Sequence, residues 1–237
     1  MALFNNPPPV AASISLRVLA RLLGYPDADL RAHLPALGDA LHGERALSPP
    51  RLAELDTLIA AIERAAPLEA EADYVQLFDR GRATSLHLFE HVHGDSRERG
   101  PAMIDLAQTY EAGGLYLAAG ELPDFLPVVL EFTSTQPPAQ ARAFLAEMAH
   151  IFNAIFAALH QRGSAYAGVL GALLELAGEK AQPVQVAPEE PIDAVWQEPV
   201  VFDGCSTKGQ ARPDPLVPLS QPIHIVRKKS PVEGART

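Results

Sequence analysis

The stretch AQARAFLAEMAHIFNAIFAALHQ, residues 139–161, carries apolar side chains at helical spacing along its whole length. They are Phe144, Leu145, Met148, Ile151, Phe152, Ile155, Phe156 and Leu159. Apolar residues that recur three and four positions apart share one face of an α-helix. The stretch therefore predicts the longest helix of the chain, with Gly163 as its C-terminal cap, and sets the fold class as all-α.

The same periodicity continues on both sides of this helix. It predicts helices over residues 13–23, 49–66, 68–78, 101–112, 125–134 and 166–176, and another over 30–41 that Pro35 is expected to kink or divide. In residues 85–92, Phe89 directly follows Leu88, which breaks strand alternation and favours a short helix. We therefore expect a single-domain helical bundle over residues 12–178, after a flexible N-terminus at 1–11 and before an extended or disordered, Pro-rich tail at 179–237.

Composition and charge exclude several functional classes. The chain has 19 basic and 29 acidic residues, and this acidic balance opposes nucleic-acid binding. We find no secretory signal and no apolar run long enough for a bilayer, so a cytoplasmic protein without membrane insertion is expected. The single cysteine, Cys205, excludes an internal disulfide and any site built from several cysteines, and the pattern predicts no cofactor.

A dense polar segment, SLHLFEHVHGDSRERG at residues 85–100, interrupts these apolar helices. Its candidate site residues are His87, Glu90, His91, His93, Asp95, Arg97 and Arg99. His87, Glu90 and His91 fit the H-x-x-E-H pattern of some zinc peptidases, in which two histidines one helical turn apart bind the metal. No third ligand and no substrate-holding strand are evident. We therefore favour a loop that pairs with itself or binds a partner, with no metal site and no enzymatic activity.

Two further groups have both a structural and a functional interpretation. Tyr74, Leu77 and Phe78 either belong to the core or line a groove. Asp124 either caps the helix that starts at Phe125 or contacts a partner. In the tail, the apolar residues Trp196, Val200, Val201 and Phe202 either dock onto the helical body or await a partner.

Long runs of this sequence resemble a known family. YVQLFDRGRATSLHLFEHVHGDSRERGPAMIDLAQTYEAGGL, starting at Tyr74, and ELPDFLPVVLEF, starting at Glu121, are similar to the NarJ-type assembly chaperones of respiratory nitrate reductase, also called its delta subunit. Residues 74–78 match the Y-x-x-L-F signature of the wider TorD-like group, and residues 121–124 match E-x-P-D. The wider group often has histidine after this aspartate, whereas this chain has Phe125.

The resemblance implies a cytoplasmic, all-helical chaperone that is not part of the finished enzyme. Its implied partner is the catalytic (alpha) subunit of nitrate reductase, bound through its N-terminal segment and kept competent for molybdenum cofactor insertion. It also implies client-peptide binding by Tyr74, Leu77, Phe78, Glu121, Asp124 and Phe125, in a groove with an apolar floor and an acidic rim. A zinc peptidase and a structural adaptor retained in a membrane complex are the alternatives.

Overall fold

Ten α-helices and one 3-10 turn at Arg82–Thr84 make up the described part of the computed structural model, residues 10–94 and 96–183. The helices are α1 Ser13–Leu22, α2 Ala28–Glu44, α3 Pro49–Arg64, α4 Pro67–Phe78, α5 Leu88–Val92, α6 Arg99–Ala112, α7 Leu126–Thr135, α8 Pro138–Glu147, α9 Ala149–Gln161 and α10 Ala167–Ala177. Within this described part, the all-α, single-domain prediction is confirmed. The expected N-terminal segment and tail, with the apolar strip around Trp196, lie largely outside the described residues.

The core is built around α9 and α10. α10 buries nine of its eleven residues, and α9 packs along it. α1 packs against α7 and α2, and α3 packs against α10. The apolar faces of these helices form one continuous cluster, as expected for helices whose hydrophobic stripes face inward.

The long helix predicted over residues 139–161 is wrong as a single element. The chain bends by 63° between α8 and α9, at Met148, although neither glycine nor proline marks the break. Both halves pack against α10. The bend therefore lets the apolar faces of α8 and α9 both contact the same helix, which one straight helix of that length would not do. Gly163 ends α9 with a positive φ of 65°, which confirms the predicted cap.

Pro35 was expected either to kink or to divide its helix; it does not divide it, because α2 runs unbroken from Ala28 to Glu44. Asp27 starts this helix by accepting a hydrogen bond from the Leu30 amide at 2.8 Å. Pro35 itself is solvent-exposed. A carbonyl left without its helical donor can bond to water there, which keeps the penalty for an interior proline low.

Two helix starts are capped by glutamates from distant parts of the chain. The carboxylate of Glu44 accepts hydrogen bonds from the amides of Ile14 and Ser15 at the start of α1. Glu175, on α10, accepts from the amide and the hydroxyl of Ser48 at the start of α3. Ser48 occupies the N-cap position of α3, but its side chain makes no hydrogen bond to the helix amides and contacts Glu175 instead. Each cap therefore links the start of one helix to a side chain from another helix.

No single helix among the described residues is both long and apolar enough to cross a membrane. The bent pair α8 and α9 meets the length and composition test only when its two helices are counted together.

Candidate functional site

A fully buried carboxylate joins the two polar segments that the sequence singles out. Asp124 has no exposed surface, and its Oδ1 lies 3.3 Å from Nδ1 of His87. Its Oδ2 accepts a hydrogen bond from the Phe89 amide at 3.2 Å and lies 4.0 Å from Nη2 of Arg99. A buried carboxylate requires such donors and cations. Asp124 therefore holds together α5, the start of α6 and the chain before α7.

The backbone reinforces the same junction. His87 and Phe125 form an isolated antiparallel bridge, in which the Leu88 amide donates to the Asp124 carbonyl at 3.0 Å and the Leu126 amide donates to the Leu86 carbonyl at 2.9 Å. His87 is thus extended and precedes α5. Residues 85–92 were all predicted as helix, and the pairing was missed because it is a single bridge between two distant segments.

The prediction that Asp124 caps the following helix is wrong. Phe125 occupies the N-cap position of α7, and no side chain caps that helix. Asp124 instead accepts from the first turn of α5, through the Phe89 amide. The residue does cap a helix, but that helix is α5 and not the predicted α7. Sequence reasoning could not assign it to α5, because the contact joins residues 35 positions apart.

Other members of the polar segment have separate surroundings. Nε2 of His91 donates to the Ser85 carbonyl at 2.9 Å, and the His93 ring lies against Phe89. Glu90 is half-buried and Arg97 is exposed, while Asp95 lies outside the described residues. The expectation of a self-paired segment is therefore only partly correct, because the main partner of His87 and Arg99 is Asp124, which belongs to the other motif.

These contacts also separate the two histidines of the H-x-x-E-H pattern. His87 turns toward Asp124 and His91 toward a backbone carbonyl. His87 precedes the helix, so the one-turn spacing that the pattern assumes is absent. Over residues 10–94 and 96–183, no three His, Cys, Asp or Glu side chains come together as metal ligands would. The geometry gives no support to a zinc-peptidase site.

The pKa of His87 is raised from its ordinary value of 6.5, chiefly by the hydrogen bond to Asp124 and against an opposing effect of burial. Folding therefore favours the protonated ring. The contribution to stability is fully present below the unfolded-state pKa and is lost as pH rises through the folded-state pKa. We expect His87→Gln to reduce the free energy of unfolding more at about pH 6 than at about pH 8, as measured by urea denaturation.

A matched control is His150→Gln, because His150 is exposed on α9 and lies apart from Asp124. Its effect should be small at both pH values. Equal destabilisation by His87→Gln at both pH values would show that protonation of His87 contributes nothing to folding.

A groove of about 560 Å³ opens beside the Asp124 junction, and we call it the client groove after the client-peptide binding that the family resemblance implies. One wall is the C-terminal end of α1, and the other is the segment before α7 with the first turns of α7. Its lining residues are Ala20, Arg21, Gly24, His87, Gly120, Glu121, Leu122, Phe125, Pro127, Val128 and Glu131. The volume lies within the range of ligand-binding clefts.

Five apolar residues and two carboxylates define the character of this groove. Ala20, Phe125, Pro127 and Val128 form its apolar lining, and Leu122 is 46% exposed at its edge. Glu121 and Glu131 are exposed and acidic, whereas Arg21 is paired with Asp27 and Asp29. The groove therefore offers apolar contact with negative charge at its margin.

The sequence prediction missed the wall from α1 and missed Glu131. Glu131 is the only charged residue in the α7 sequence LPVVLEFTST, and this isolated charge in an apolar helix was a signal for a polar margin. Ala20 and Arg21 gave no such signal, because their position opposite α7 depends on the crossing of α1 and α7.

The Y-x-x-L-F residues lie elsewhere. Tyr74 is 6% and Phe78 is 5% exposed, and the Tyr74 hydroxyl donates to the Leu23 carbonyl at 2.7 Å. Both rings pack against Tyr166. Leu77 lines a second groove of about 600 Å³ beside α3 and α4, which shares no lining residue with the client groove in the described part of the chain. The single groove expected between the two motifs is thus divided in two.

Comparison with known proteins identifies the family. The family model described as nitrate reductase delta subunit matches residues 27–171. The nitrate reductase molybdenum cofactor assembly chaperone NarJ of Escherichia coli K12 is 41% identical over 195 residues, covering 78% of this chain and 83% of that protein. The probable chaperones NarW of the same strain and NarJ of Bacillus subtilis 168 are 35% identical over 204 residues and 31% identical over 166 residues.

These two relatives cover 77% and 68% of this chain and 80% and 86% of their own lengths. In structure, the chain is similar to a putative redox enzyme maturation protein from Archaeoglobus fulgidus, at a TM-score of 0.48 and 20% identity over 69% of this chain and 91% of that one. The family match and the identity over most of the chain agree with each other. The chain therefore belongs to the nitrate reductase delta subunit family, that of the NarJ-type molybdenum cofactor assembly chaperones, which are assembly factors and not enzymes.

Proposed function

We propose that this chain binds the catalytic (alpha) subunit of a respiratory nitrate reductase in the cytoplasm, through the N-terminal segment of that subunit, and keeps it competent for molybdenum cofactor insertion. The client groove is the observation that carries this proposal. It lies where the family-typical segments around His87 and Asp124 meet, and it combines apolar lining with an acidic margin.

This chemistry fits a short amphipathic segment with basic residues. Apolar side chains of such a segment would lie against Leu122 and Phe125, the two groove residues with accessible apolar surface, and its basic side chains would face Glu121 and Glu131. The carboxylates are exposed, so they add encounter rate and register more than affinity. Tyr74 and Phe78 have little surface to offer a client, and in this proposal they support the core behind α4. Asp124 acts indirectly by fixing Phe125 and His87.

Binding to the immature subunit alone is sufficient for chaperone action. A protein that binds only the apo form raises the population of that form by mass action. Release follows when cofactor insertion folds the client and removes the exposed segment. Such a cycle needs no hydrolysis step.

The proposal is tested by calorimetric titration of the purified chain with a peptide of the alpha subunit's N-terminal segment. We expect saturable binding that Leu122→Ala weakens by about 1 kcal/mol, or roughly fivefold in Kd, because this half-exposed side chain loses apolar contact with the client. Its exposure also means that folding should be unaffected.

Leu68→Ala is the matched control, since Leu68 is 77% exposed and lies on α4 outside the client groove. It should bind the peptide as the unmodified chain does. Absence of peptide binding would overturn the proposal, and equal weakening by both variants would remove the client groove from it. Co-purification with the mature, cofactor-loaded reductase would instead favour the structural adaptor.

A further inference from the structure

Helix α6 is the least embedded of the longer helices that the structure describes. It has 14 residues, and Tyr110 alone among them is buried. Ile104 on the same helix is 59% exposed. Tyr110 belongs to a small apolar cluster with Val128 and Phe132, separate from the main core. The helix is thus held by a small attachment, and little apolar area opposes its release.

The attachment of α6 falls on the segment that forms one side of the client groove. The Tyr110 hydroxyl donates to the Pro123 carbonyl at 2.8 Å, between the groove residues Leu122 and Phe125. At the other end of α6, Nη2 of Arg99 lies 4.0 Å from Asp124. We call residues 118–125 the rim segment. It has contacts with α6 on one side and lines the groove on the other.

Two side chains belong to both surfaces. Val128 lines the client groove and also packs with Tyr110, and Phe125 lines the groove while packing against the same small cluster. A shift of α6 would therefore move groove-lining atoms directly. Close packing transmits such a shift, because neighbouring side chains have no free volume in which to absorb it.

The connections on either side of α6 contain glycines in a left-handed conformation. Gly94, before the helix, has a φ of 51°, and Gly114, after it, has a φ of 83°. A Cβ at either position would meet no atom within 4 Å, so these glycines serve the backbone path and not close packing. Glycine tolerates a wide range of φ and ψ, so these two turns are where the backbone would rotate in a shift of α6.

We propose that α6 is a docking arm whose attachment through Tyr110 and Arg99 holds the rim segment in its binding conformation, so that α6 docking and client binding strengthen each other. Tyr110 is then a positioning residue, because it contacts the rim and not the client. This inference rests on the proposed function. It adds a coupling between the client groove and the attachment surface of α6, which the client itself does not contact.

Coupling of this kind is reciprocal. If docked α6 raises the affinity for the client, then bound client must stabilise docked α6 by the same factor. Hydrogen exchange measures this on the unmodified protein. With saturating alpha-subunit N-terminal peptide, amides of residues 103–112 should exchange about fivefold more slowly than without it, although this helix lies outside the groove.

Tyr110→Phe tests the same coupling through one hydroxyl. The variant keeps the ring against Phe132 and removes only the bond to Pro123. We expect peptide affinity about fivefold weaker, mainly through faster dissociation, and a smaller peptide-induced protection of α6. Tyr116→Phe is the control, because Tyr116 is 77% exposed and the same hydroxyl loss should change neither measurement.

The outcomes separate the two proposals. If the peptide does not bind the unmodified chain, the proposed function fails. If it binds but leaves exchange in α6 unchanged, the docking arm is excluded while the client groove stands. A Tyr110→Phe variant that binds as tightly as the unmodified chain also overturns the positioning role of Tyr110.

Discussion

Asp124→Ala is expected to lower the free energy of unfolding by about 2 to 3 kcal/mol. The carboxylate is fully buried and accepts from the Phe89 amide and the His87 ring. Its removal leaves the partly buried Phe89 amide without an acceptor and weakens the connection between α5 and the chain before α7. His87 and Arg99 are each about one-third exposed, so water solvates them in the variant and limits the loss. Urea denaturation measures the change.

Asp105→Ala provides the reference for this prediction. Asp105 is exposed on α6, and the loss of its carboxylate should change stability by about 0.5 kcal/mol or less. A small effect of Asp124→Ala, comparable to that of Asp105→Ala, would mean that the backbone bridge between His87 and Phe125 maintains the junction by itself.

Phe78→Ala is expected to lower the free energy of unfolding by about 3 to 4 kcal/mol, because it removes a buried ring from the main core. The ring lies 4.8 Å from that of Tyr74 and 5.1 Å from that of Tyr166, between centroids. In the fraction that remains folded, affinity for the alpha-subunit peptide should be unchanged, since Phe78 does not line the client groove. Thermal unfolding followed by peptide titration at low temperature measures both quantities.

The prediction for Phe78 separates the two interpretations of Y-x-x-L-F. If Phe78→Ala weakened peptide binding without changing stability, Phe78 would instead contact the client, as the family resemblance implies. Val75→Ala is the control variant, because Val75 lies on the same helix but is only half-buried and loses less apolar contact. It should reduce stability by about 1 kcal/mol.

Local sequence rules predicted the helices well where periodicity and end signals agree. α1, α3, α4, α7 and α10 begin or end within about two residues of their predicted bounds. The bend at Met148 and the unbroken α2 could not be predicted, because both depend on what surrounds the helix. α8 and α9 must both reach α10, and Pro35 faces solvent.

The candidate site was predicted in its parts and not in its arrangement. The sequence singled out His87, Arg99, Glu121, Asp124 and Phe125, all of which lie at or beside the junction. It did not show that Asp124 bonds with α5, nor that the two motifs line different grooves. Both facts follow from pairing between segments more than 30 residues apart, as in the contact from His87 to Asp124 across 37 residues, for which spacing along the chain carries no signal.

The glutamate caps described above also bear on how the chain acquires its structure during translation. Ser48 and Glu175 are 127 residues apart, so the first turn of α3 leaves the ribosome long before its cap has been synthesised. At ordinary elongation rates this interval is roughly 6 to 25 s, far longer than the microseconds in which a helix forms or melts. α3 therefore lacks this cap until Glu175 on α10 has been made, although α2, against which it also packs, is synthesised before it.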